Sequence, residues 1–67
     1  MDDFERASAR THALARKLLS SGTVPIDVAD AILAEGFAVS IISRGRAETA
    51  AALRAVADHL EVTANGD

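Results

Sequence analysis

The sequence predicts an all-α fold, a small three-helix domain with helices at about residues 3–20, 25–43 and 46–61, packed as a homodimer. Three observations carry that prediction. Apolar residues recur at spacings of three and four, the period of one helix face. Alanine, the best helix former, supplies 15 of the 67 residues. Glycine, proline and serine cluster around residues 20–25 and 43–46, where helices would stop and restart.

The first helix is written by Phe4, Ala7, Thr11, Leu14 and Leu18, spaced 3, 4, 3 and 4. Asp2, Asp3 and Glu5 stand at the positive end of its dipole, and Arg16 and Lys17 near the negative end. Ser20-Ser21-Gly22 supplies the stop, with Gly22 able to take a left-handed cap conformation.

The second helix begins near Pro25, a residue suited to a first turn because its missing N–H would have had no partner. Thr23 or Val24 would cap it. At about 100° per residue, Ile26, Val28, Ala29, Ile32 and Leu33 fall on one side, opposite Asp27, Asp30, Ala31, Ala34 and Glu35. After Gly36 that phase is lost: Phe37 and Ile41 project on the side of Asp30, and Ile42 on the side of Glu35. Three arrangements meet the pattern: a straight helix buried on two faces with Gly36 at a close crossing, a kink or break at Gly36, or a strand from Phe37 to Ser43. A continuous or kinked helix is the expectation. The shift in phase also leads Gly36→Ala to be expected to destabilise.

Ser43-Arg44-Gly45-Arg46 reads as a connector, with Glu48 placed for the first turn of a third helix. Thr49, Leu53, Val56 and Leu60 then repeat the 4, 3, 4 spacing, and Arg54 and Asp58 form an outward i,i+4 pair. Residues 62–67 are expected to fray as a tail of the single domain 1–67.

A chain this short buries about 60% of the surface its unfolded form exposes, so its core is marginal. Small domains recover stability through disulfides, a metal or association. Cysteine is absent, which removes disulfides and thiolate zinc sites together. His12 and His59 have no partner at ligand spacing and read as solvent-facing, so no metal and no cofactor are expected. Association is left, with a homo-oligomer or another protein as partner.

Other functions find little support. No serine has an adjacent base in a nucleophile arrangement and Gly45 stands alone, so the chain reads as non-enzymatic with no catalytic residue. The net charge of −3 and the lack of Trp and Tyr argue against nucleic acid. Arg6, Arg10 and Lys17, within about 40° of one another, read as a solvated face. Val28 to Ser40 has the outline of a helix-turn-helix around Gly36. However, its would-be recognition helix offers Val39, Ile41 and Ile42 where base-reading polar groups belong. A DNA-binding regulator is therefore the alternative reading. No apolar run approaches the roughly 20 residues of a membrane span, and an acidic start argues against a secretory signal; a cytoplasmic protein is the expectation. The candidate interaction surface is Ile32, Gly36, Phe37, Val39, Ile41 and Ile42.

Overall fold

The computed structural model describes residues 2–65, which are 92% helical with no strand among them. Among the described residues there are two helices, α1 (Asp3–Ser20) and α2 (Pro25–Asn65), where three were expected. They distribute over two compact units, Met1–Leu33 and Ala34–Asp67.

In the first unit the ends of α1 follow from local chemistry. Asp2 is the N-cap in an extended conformation, and its carboxylate accepts from the Glu5 N–H at 2.7 Å. The far end closes on Gly22, whose φ of +92° suits a residue without Cβ. The Gly22 N–H donates to the Leu19 carbonyl and the Thr23 N–H to the Leu18 carbonyl, each at 3.1 Å. That crossed pair is a Schellman cap, which satisfies carbonyls the helix leaves free. Two residues later Pro25 starts α2, and the Val24 carbonyl accepts from Asp27 and Val28. Ala15 and Leu18 of α1 and Val28 and Ile32 of α2 are the shielded positions of this unit, with Val28 only 5% exposed.

Gly36 lies inside unbroken helix, so the kink, break and strand alternatives all fail there. It does not mark a close crossing either, because a Cβ built on it meets nothing within 4 Å. A glycine inside a helix costs only about 1 kcal/mol relative to alanine, and Ala34, Glu35 and Ala38 around it are good helix formers.

The interruption comes at Gly45 instead, with φ 85° and ψ 170°, and this one residue replaces the expected connector. Helical bonding resumes immediately, so the segment expected as a separate third helix continues α2. Ser40 and Thr49, nine residues apart, would stand about 13–14 Å apart along a straight helix. Their hydroxyls are hydrogen-bonded at 2.9 Å, so the bend at Gly45 brings the two arms of α2 together. Thr49 is 4% exposed, with Ser40, Ala50 and Ala52 half-buried around it. The helix runs on to Asn65, past the expected end at Glu61; residues 66–67 of the expected tail lie outside the described residues.

Candidate interaction surface

The six residues singled out from sequence all lie on α2. Ile32 is half-buried in the first unit beside Val28. The other five belong to the second unit. Phe37 and Ile41, four apart, share one side of the helix and are a little over one-third exposed. Val39 and Ile42 share another side, and Ile42 is 86% exposed. Gly36 opens onto empty space.

The more general feature is how little of the apolar sequence is covered. Val28 is the buried hydrophobic residue among those described. Phe4 is 79% exposed, and Leu14, Ile26, Leu33, Val56 and Leu60 are each more than half exposed. The stripes read as core are helix faces, yet few of their members are shielded: Leu18 on α1, and Val28, Ile32 and Thr49 on α2.

Among the described residues no group of three potential metal ligands comes together. His12 and His59 lie in different units. The serine and threonine hydroxyls mostly bond back to their own helix, as Thr11 does to the Ala7 carbonyl and Ser43 to the Val39 carbonyl, each at 2.8 Å. The Ser40–Thr49 pair is the exception that sequence reasoning missed. Its signal was symmetry, since the two small hydroxyl residues stand at nearly equal distance on either side of Gly45. Arg44 and Arg46 flank the same glycine and are exposed. The helix-turn-helix outline has no turn at its centre, because Gly36 is helical.

No described helix is long and apolar enough to cross a membrane. No family model, curated protein or solved structure matches this chain.

Proposed function

We propose that this chain is a non-enzymatic helical interaction module whose core is completed by association. The observation that supports it is the near-absence of buried apolar side chains in a sequence that is 49% hydrophobic. Fully burying a valine contributes about 1.5–3 kcal/mol. Ordering a single residue's backbone costs about 1–2 kcal/mol. One buried valine therefore offsets the ordering of only one or two residues, and helices this long draw their stability from packing of an amphipathic face. The faces that would supply it are built and exposed, so the missing contacts belong to another molecule.

Ile42→Asp tests this reading. On a free surface a substitution at an 86% exposed position changes stability by no more than about 0.5 kcal/mol. In a contact that excludes water, the unpaired carboxylate is costly. The module reading expects loss of helical circular dichroism or of associated mass; an unchanged spectrum, melting temperature and mass would overturn it.

A further inference from the structure

In the second unit the two arms of α2, before and after Gly45, are packed on each other. The shielded side chains around the Ser40–Thr49 bond repeat one spacing. Phe37, Ser40 and Ile41 stand at i, i+3 and i+4 before the bend, and Thr49, Ala52 and Leu53 at i, i+3 and i+4 after it, the spacing of a single helix face. Phe37, Ile41 and Leu53, none more than 39% exposed, are the most shielded large apolar residues of this unit. Each arm therefore has an inner face, and the surface that fits it is the other arm.

A single residue connects the arms. Gly45 has φ 85° and ψ 170°, while Ser43, Arg44, Arg46 and Ala47 around it are helical. A Cβ built on Gly45 meets nothing within 4 Å, so no side chain is packed there to hold the bend. Glycine takes negative φ as readily as positive, and Gly36 of the same α2 lies in unbroken helix. The bend interrupts the i→i+4 ladder that a straight helix continues, and each interruption leaves backbone groups without a helical partner. Straightening at Gly45 restores that ladder and parts the arms. Within one chain the inner faces are then bare, but a second straightened copy offers each of them the face it has lost.

Resting on the reading of the chain as an interaction module, we infer that Gly45 is a hinge at which two copies of the chain open and exchange the arms that follow it. Ser40 of each copy then bonds Thr49 of the other. The exchange is symmetric, so each contact between arms is kept and occurs twice. The two copies gain the helical bonding that the bend interrupts and give up the independence of one molecule, so exchange grows with concentration. A one-residue hinge favours this outcome, because it leaves the chain no slack with which to close without strain.

The chain has no cysteine, so an introduced thiol reports only its own position. The hydroxyl oxygens of Ser40 and Thr49 are 2.9 Å apart, which places sulfurs in their stead within reach of an S–S bond of about 2.05 Å. The test mixes full-length Ser40→Cys and Thr49→Cys chains in equal amounts, oxidises them over a range of concentrations, and weighs the products under denaturing, non-reducing conditions. A chain closed on itself carries one thiol at this contact and cannot form the bond; exchanged chains link 40 to 49 between copies. The mixture should give covalent heterodimers in preference to like pairs, and more of them as concentration rises. With Gly45→Ala in both chains, the concentration needed should fall at least about twentyfold, because each dimer relieves two strained hinges. If the wild type associates and the mixture gives no heterodimer, the inference fails and the module reading stands. A link that forms only with Gly45→Ala makes exchange a property of the variant and likewise overturns the inference. A wild type that is a cooperatively folded monomer at every concentration overturns both.

Discussion

Gly36 and Gly45 stand nine residues apart in the same helix, and alanine at each should move stability in opposite directions. Gly45 has φ 85° and ψ 170°, a region open essentially to glycine alone. A Cβ there meets no neighbour within 4 Å, so the penalty is backbone strain and not a clash. It should amount to about 1–3 kcal/mol. Relief of the strain by straightening the helix would part Ser40 from Thr49, which loses a further contribution of about 0.5–1.5 kcal/mol. Gly36 is helical, with open space where the methyl would go. Alanine there should stabilise by about 0.4–1 kcal/mol, chiefly by restricting the unfolded chain. In a domain of this size, each kcal/mol moves the melting temperature by about 4–8 °C. Thermal unfolding followed by circular dichroism, at one fixed protein concentration, resolves both effects. Gly45→Ala as stable as the wild type would refute the bend, and Gly36→Ala less stable than the wild type would refute the unbroken helix.

Thr49→Val keeps the buried volume but leaves the Ser40 hydroxyl without its partner; it should cost about 0.5–1.5 kcal/mol, and a double-mutant cycle with Ser40→Ala should show the two effects to be coupled. Asp2→Ala removes the cap of α1 and should cost about 0.5–2 kcal/mol, read as reduced helicity and a lower denaturation midpoint. Arg44→Ala with Arg46→Ala should leave assembly intact, since exposed charges beside a bend contribute little. Titration with duplex DNA should show no sequence-dependent binding at physiological salt; submicromolar binding lost in the double variant would favour a nucleic-acid role.

Much of the local structure was legible because it is decided locally. Asp2 and the Ser20-Ser21-Gly22 stop bound α1 where the sequence placed it, and Pro25 opens α2. The middle of α2 was harder to read because two different neighbours impose two phases on one continuous helix. Val28 and Ile32 are shielded in the first unit and Ser40 in the second, so the apolar phase changes at Gly36 without any change in the backbone. Periodicity registers such a change and cannot say whether the helix or its neighbour changed. Ser43 to Arg46 was read as a connector, and the helix count went wrong there because a single positive-φ glycine suffices to turn the chain. For the candidate surface, sequence picked out an apolar helix but not which sides lie open. Ile32 proved half-buried and Ile42 exposed.

The central claim is that this chain completes its core with another molecule, and first of all with its own copy. Mass in solution and melting temperature, measured together over about a hundredfold range of concentration, test it most directly. The account predicts a mass above the 7.0 kDa of one chain and a melting temperature that rises with concentration. A single 7.0 kDa species that unfolds cooperatively at one temperature throughout would contradict it.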